Sequence, residues 1–303
     1  MRIIFLGTSA AIPTASRGLA SITIHRGGEI LIFDAGEGMQ RNYLLAKLPI
    51  NKKTKVFITH MHADHCLGIL GLIQTMSLLG RSRKLDIYGE PRLHEFISQN
   101  IRIIRFGLSF DIDIHIIENE GIVVKESEYQ ISCCKSEHIT PSYSFSLQEF
   151  DRPGKFNIQK AIELGIPKGN LFRKLQNGED IKINNIIIKS AQIVGPRRRG
   201  RKIGISGDTR PSQELERFFA NSDVLIFEAT YTQDKYQNAV NTSHSTAMEA
   251  ASIAKASNCN KLFLTHFSSR YKDAQIILKE ARSVYSNVEL AEDLKAVSVP
   301  YIE

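Results

Sequence analysis

Four side chains able to bind a metal fall within one short stretch, Thr59-His60-Met61-His62-Ala63-Asp64-His65-Cys66-Leu67-Gly68. The stretch follows Lys55-Val56-Phe57-Ile58, which reads as a short buried strand. His60 and His62 alternate, so in an extended backbone both imidazoles point the same way and can close on one ion. Asp64 and His65 follow at the start of a predicted helix, Ala63 to about Leu79, where they can face a second ion. A lone histidine is usually a satisfied core or surface residue, but His-x-His-x-Asp-His at a strand end gathers too many donors for packing alone. Imidazole nitrogen with carboxylate oxygen suits zinc best, with iron or manganese as substitutes.

The elements that must position such a loop can be read in order. Arg2 to Leu6 is a strand, and Gly7-Thr8-Ser9-Ala10 turns away from it. Ser21 to His25 and Ile30 to Phe33 form a hairpin around Gly27-Gly28. Asp34 comes next, a carboxylate that could cap the helix expected from about Glu37 to Ala46. Beyond the metal loop a strand is predicted at Leu85 to Tyr88 and a helix from Pro91 to about Phe106, with Pro in its first turn. Strands follow near Ile112 to Ile117, Ile122 to Lys125 and Tyr129 to Cys134, and then His138.

Residues 149 to 178 break this rhythm, with concentrated Pro and Gly and no long apolar face, as in a surface excursion. The second half resumes with strands at Ile181 to Ile183, Ile186 to Ser190 and Lys202 to Ser206, the last running into Gly207-Asp208-Thr209. Asp223 to Phe227 precedes Glu228. His244 stands where a helix to about Ser257 opens, a place typical of capping residues. Lys261 to Leu264 delivers His266. A strand with a ligand at its C-terminal end thus occurs at His60, Asp208 and His266, as when an open α/β sheet gathers a site at one edge.

The 303 residues carry 39 Lys and Arg against 32 Asp and Glu, a net charge of +7. That balance favours a polyanionic partner. Arg197, Arg198, Arg199, Arg201 and Lys202 form one dense basic run, and Arg81, Arg83 and Lys84 a smaller one. No apolar run approaches the roughly 20 residues that span a bilayer, and Met1-Arg2 enters directly into Ile3-Ile4-Phe5-Leu6, so a cytoplasmic protein is expected. Cys66, Cys133, Cys134 and Cys259 have no framework spacing. Cys133 and Cys134 adjoin and would face opposite sides of a strand, so buried thiols are expected in place of disulfides.

The metal loop, the opening Phe5-Leu6-Gly7-Thr8-Ser9, and the stretches around Asp208, Glu228, His244 and His266 resemble the metallo-β-lactamase superfamily. Within it the resemblance is to the ribonuclease Z family, the short tRNA 3′-processing endonucleases, essentially end to end. It implies a metallo-β-lactamase fold: one α/β domain over residues 1–303, built as a four-layer α/β/β/α sandwich, with a tRNA-binding arm, or exosite, inserted at about 149–178. The family arm carries Gly-Pro where this chain has Gly169-Asn170. The resemblance implies two zinc ions, one held by His60, His62 and His138, the other by Asp64, His65 and His266, with Asp208 on both. Asp34 becomes a support for the metal loop. Asp64 orients or deprotonates the attacking water, and His244, held by Glu228, stabilises the phosphorane charge or protonates the departing oxygen.

The implied substrate is precursor tRNA, cut to leave a 3′-hydroxyl on the tRNA and a 5′-phosphate on the trailer, by a homodimer. Lys155, Lys168, Arg173 and Lys174 on the arm, with Arg197, Arg198 and Arg199, are the expected tRNA contacts. Two rivals remain. One is another hydrolase of the fold acting on a small substrate, which needs neither arm nor basic run. The other is a catalytically inactive RNA-binding subunit, whose mark would be lost ligands, whereas all seven are present.

Overall fold

In the computed structural model, which describes residues 1–105, 107–184 and 186–301, layering begins with alternation along the strand Arg2–Gly7. Ile3 and Phe5 lie in one apolar cluster and Ile4 and Leu6 in another, and all four are buried. That is the period of two expected of a strand covered on both faces. The strand belongs to a seven-stranded sheet ordered Ala296–Ser298, Arg2–Gly7, Ser21–Arg26, Glu29–Phe33, Lys53–Phe57, Leu85–Gly89, Ile112–Ile116. A second seven-stranded sheet runs Val288–Leu290, Leu262–Thr265, Val224–Glu228, Lys202–Ile205, Tyr143–Glu149, Tyr129–Lys135, Gly121–Lys125.

One apolar cluster draws on both sheets, joining Phe5, Phe33 and Phe57 to Phe145, Ile205 and Phe263, so the sheets pack face to face. The outer face of the first sheet buries Ile32 and Val56 against Tyr43, Ile69, Leu72 and Leu93 from its helices. The outer face of the second buries Phe227 and Leu264 against Leu215, Ala250, Ala254 and Ile277. Helix, sheet, sheet, helix is the expected four-layer order.

Helix ends follow local chemistry. The helix expected from Glu37 starts later, as Met39–Leu45, because Gly38 is left-handed at φ 76°. The helix expected over Ala63 to Leu79 is two segments, Ala63–Cys66 and Gly68–Leu78, joined through Leu67. Pro91–Ile104 ends on Arg105 at φ 56°, and the expected end at Phe106 lies outside the described residues. The strand expected over Ile186 to Ser190 stops at Ile188, and a 3-10 turn begins at Ser190.

Met1–Leu147 and Lys202–Pro300 form one compact unit; Gln148–Arg201, with the C-terminal residues from Tyr301, form another. The second unit contains the helices Ile158–Glu163 and Asn170–Gln176 and the hairpin Ile181–Ile183 with Ile186–Ile188. Asn157 caps the first helix by accepting the Lys160 N–H at 2.9 Å. Ala161, Ile166, Leu175, Ile181, Ile188 and Ile193 make a core of its own. The stretch looks coreless in sequence because each short element contributes only one or two of these residues, and the unit extends past residue 178 to include the hairpin.

Candidate metal centre

The ends of parallel strands deliver the ligand-type residues to one place. Lys53–Phe57 leads to His60, Lys202–Ile205 to Asp208, and Leu262–Thr265 to His266, while His138 comes from the connection after Tyr129–Lys135. Gly207 makes the turn into Asp208. It sits at φ 59°, and a Cβ there would lie 2.9 Å from the Thr59 methyl, so both conformation and space require glycine. His266 itself is left-handed at φ 59°, a conformation that costs a non-glycine residue of order 1–3 kcal/mol and concentrates at functional sites.

His60, His62, His138 and Asp208 form one group of converging donor atoms, and Asp64, His65 and His266 a second. His60 Nε2 lies 3.0 Å from His62 Nδ1, and His138 Nε2 lies 3.2 Å from that same nitrogen. His65 Nε2 and His266 Nε2 are 3.2 Å apart. Asp208 Oδ2 is 3.2 Å from His65 Nε2 and 3.7 Å from His60 Nε2, and its Oδ1 is 3.4 Å from His266 Nε2. Asp208 therefore stands between the groups.

The outward nitrogens decide which atoms face inward. His65 Nδ1–H donates to Asp34 at 2.8 Å and His138 Nδ1–H to the Ser243 carbonyl at 2.9 Å. Thr59 Oγ1 donates to Asp34, so it accepts from His60 Nδ1–H; Thr230 Oγ1 donates to Glu228, so it accepts from His266 Nδ1–H. Four rings thus turn Nε2 toward one another, with the Asp64 and Asp208 oxygens among them, an arrangement suited to a cation. Ligands held at about 2.0–2.1 Å around a tetrahedral ion are spaced by about 3.3–3.4 Å, and the observed separations bracket that value. The donors present fit divalent metal.

The electrostatics agree. Burial drives His60 well below the usual imidazole range. Burial also disfavours charge on His65, yet Asp208 and Asp34 outweigh it and pull the ring well upward. Asp208, although buried, is held well below the carboxylate range by His266, His65 and His244. Positive charge is what this cavity is built to receive.

Asp34 is not a helix cap: its Oδ1 accepts the Thr59 N–H at 2.7 Å, and its Oδ2 faces Thr59 Oγ1 and His65. Asp64 Oδ2 accepts the Ala11 N–H at 2.7 Å and lies 3.4 Å from His266 Nε2. His244 is not the cap either, since Thr246 and Glu249 form a capping box on the helix Ala247–Ala256. Its Nδ1–H donates to Glu228 Oε1 at 2.9 Å. Burial opposes charge on this imidazole, but Glu228 and Asp208 raise it to about 9. Glu228 is fixed in turn by the Thr209 N–H at 2.8 Å.

Sequence reasoning missed several supports: the hydroxyls of Thr59 and Thr230, the Ser243 carbonyl, the Ala11 N–H, and Arg210, which pairs with Glu249 and donates to the His244 carbonyl. In front of the donors lies a cavity of about 720 Å³ lined by Ile12, Asp64, Ile139, Tyr231, His244 and Arg270, among others.

The basic runs divide. Arg81 is fully buried and donates to the carbonyls of Ile50, Lys52 and Lys84. Arg201 is buried and bidentate on Glu149 at 2.7 and 2.9 Å, and Lys202 binds the carbonyls of Phe218 and Ala220. These three are structural and not surface cations. Arg197 and Arg199 are exposed and Arg198 half-buried, with Arg197 donating to the Asp151 carbonyl and Arg198 to that of Pro153. Lys155, Lys168, Arg173 and Lys174 are exposed.

Two facing sheets with helices outside and a His/Asp cluster at strand ends define a metallo-β-lactamase-fold metal hydrolase. A metallo-β-lactamase-fold protein from Bacillus subtilis superposes with a TM-score of 0.67 at 18% identity, covering 98% of each chain. The human short-form tRNase Z superposes with a TM-score of 0.72 at 26% identity, covering 99% of this chain and 100% of its own. A ribonuclease Z of Nitrosopumilus maritimus is 48% identical over 299 residues, 99% of this chain and 100% of the relative. A family model described as anti-Pycsar protein Apyc1 matches residues 1–152. By the full-length match the chain belongs to the ribonuclease Z family, its first half conforming also to the Apyc1 model. Among the described residues no helix is long and apolar enough to cross a membrane.

Proposed function

We propose that this chain is an endoribonuclease that removes the 3′ trailer from precursor tRNA, leaving a 3′-hydroxyl on the tRNA and a 5′-phosphate on the trailer. The observation that carries this reading is the pair of inward-facing donor groups sharing Asp208, with the His244–Glu228 pair beside them. His60, His62 and His138 would hold one divalent ion, Asp64, His65 and His266 the other, and Asp208 both; zinc is the expected metal. Such ions would supply Lewis acidity at the phosphoryl oxygens and lower the pKa of water.

The side chains supply the rest. Asp64, with one oxygen tied to the Ala11 N–H, is positioned to orient the attacking water. His244, raised chiefly by Glu228 and Asp208 against the effect of burial, would be the proton carrier of the site. It can give that proton to the departing 3′ oxygen, which as a bare alkoxide is a poor leaving group. Glu228 holds the ring through Nδ1 and leaves Nε2 as the donor. The second unit, with exposed Lys155, Lys168, Arg173 and Lys174, would bind tRNA phosphates.

The test is incubation of purified chain with 3′-labelled and 5′-labelled precursor tRNA and mapping of the cut. Cleavage directly 3′ of the acceptor stem region, leaving the stated ends, supports the reading; hydrolysis of small diesters with no tRNA cleavage favours the small-substrate hydrolase. The expected homodimer is checked by light scattering.

A further inference from the structure

The second unit contains an aromatic ring that its own sequence stretch does not supply. Tyr301 belongs to this unit, although the residues just before it, through Pro300, belong to the first. Val299 is buried and its N–H donates to the Met1 carbonyl at 2.9 Å, so the chain is anchored in the first unit immediately before it reaches the second. The tyrosine ring then receives two guanidinium groups, with Arg152 Cζ 3.3 Å and Arg201 Cζ 3.8 Å from its centroid.

The two arginines are unequal. Arg201 is neutralised by its bidentate pairing with Glu149. Arg152 Nε and one of its terminal nitrogens are buried and make no hydrogen bond. A buried guanidinium edge without an acceptor is costly, and an aromatic face is the one apolar surface that attracts it. Both arginines lie where the unit begins and ends: Glu149 N–H donates to the Arg201 carbonyl at 2.9 Å, and Arg152 and Arg198 exchange N–H···O bonds of 2.8 and 2.9 Å.

We propose that Tyr301 is a positioning residue for the tRNA reaction, a latch whose ring closes over Arg152 and Arg201 at the base of the second unit. The stack ties Tyr301 to the two segments with which the second unit begins and ends, which orders that unit and lowers the ordering entropy lost when substrate binds. The ring acts through Arg152 and Arg201, so its effect falls on capture of a substrate that binds the second unit. This rests on the tRNA-processing reading.

The experiment compares Tyr301→Ala and Tyr301→Phe with the unaltered chain. Loss of the ring should raise KM for precursor tRNA by about 3- to 30-fold, the range of a desolvated cation–π contact, with kcat nearly unchanged. Hydrolysis of bis-p-nitrophenyl phosphate should be unaltered. Tyr301→Phe, which keeps the aromatic face, should restore the KM. Hydrogen exchange gives a readout independent of RNA: the amides of Glu149, Arg152 and Arg198 should exchange faster in Tyr301→Ala, while those of the strand Arg2–Gly7 should not. Unchanged exchange at those amides, or a phenylalanine variant as defective as the alanine one, overturns the latch. Failure of the unaltered chain to cut tRNA would instead sink the functional reading and leave the exchange result to decide the latch by itself.

Discussion

At the scale of single residues, the site is a set of choices about where protons sit. His244 is the sharpest case, because its Nδ1–H is committed to Glu228 and only Nε2 can serve a leaving group. His244→Ala should slow precursor-tRNA cleavage by about 10²–10⁴-fold, the usual worth of a positioned acid. Bis-p-nitrophenyl phosphate, whose leaving group is stable as an anion, should lose far less; equal losses on both substrates, measured as kcat/KM, would mean damage or general transition-state binding. Asp208 has a different job, since its two oxygens face both donor groups. Asp208→Ala should drop divalent metal from about two ions per chain, as a two-metal site holds, to one or none by elemental analysis. Thiol chemistry provides a pH-linked check away from the centre. Burial pushes the thiols of Cys66, Cys133, Cys134 and Cys259 up to about 11, and the thiolate is the reactive form. N-ethylmaleimide at pH 7 should therefore label all four only slowly in the folded chain and readily after unfolding; as the pH rises, half-buried Cys134 should react before the three buried thiols.

At the scale of elements, the turn at Gly207 links backbone geometry to metal affinity. Gly207→Ala must accept a left-handed backbone at about 1–2 kcal/mol for an L-residue and also displace Thr59, which holds both Asp34 and His60. The expected outcome is a folded chain by circular dichroism that binds metal more weakly; unaltered affinity would show that the strand end tolerates a Cβ. The same elements show what the sequence can and cannot reveal. Strand ends bearing His60, Asp208 and His266 are legible because apolar runs stop abruptly at ligand-type residues. Tyr143–Glu149 is equally legible from its alternation of Tyr, Phe and Leu with Ser and Gln, yet it is absent from the expected strands. Val288–Leu290 and Ala296–Ser298, three residues each, are too short to show a period. The hydroxyl relays through Thr59 and Thr230 depend on partners brought together only by folding. Arg81 and Arg201 illustrate the reverse error, since a run of basic residues does not show which of them will find carbonyls or a carboxylate inside.

At the scale of the whole molecule, the question is what the second unit adds to a centre whose donor residues all lie in the first. Its exposed Lys155, Lys168, Arg173 and Lys174 suit phosphate contacts, and its small core means that it must be removed as a folded whole, not trimmed at residue 178. The mutual backbone bonds of Arg152 and Arg198 mark where the two chain segments run side by side, so a short Gly/Ser linker replacing residues 153–197 closes the gap without strain. Binding remote from the chemistry aids only substrates long enough to reach it. The shortened chain should therefore lose precursor-tRNA cleavage at low substrate concentration while still hydrolysing bis-p-nitrophenyl phosphate at close to the original rate. With fewer phosphates neutralised, affinity falls less steeply as salt rises, but the weakened complex begins from a lower affinity and should vanish first at high salt. Titrating cleavage between about 50 and 200 mM salt, the span over which such neutralisation dominates, separates the possibilities. Normal tRNA cleavage across that range would reduce the second unit to a decoration of the fold. Loss of both reactions would show instead that the metal centre depends on the second unit for its own integrity.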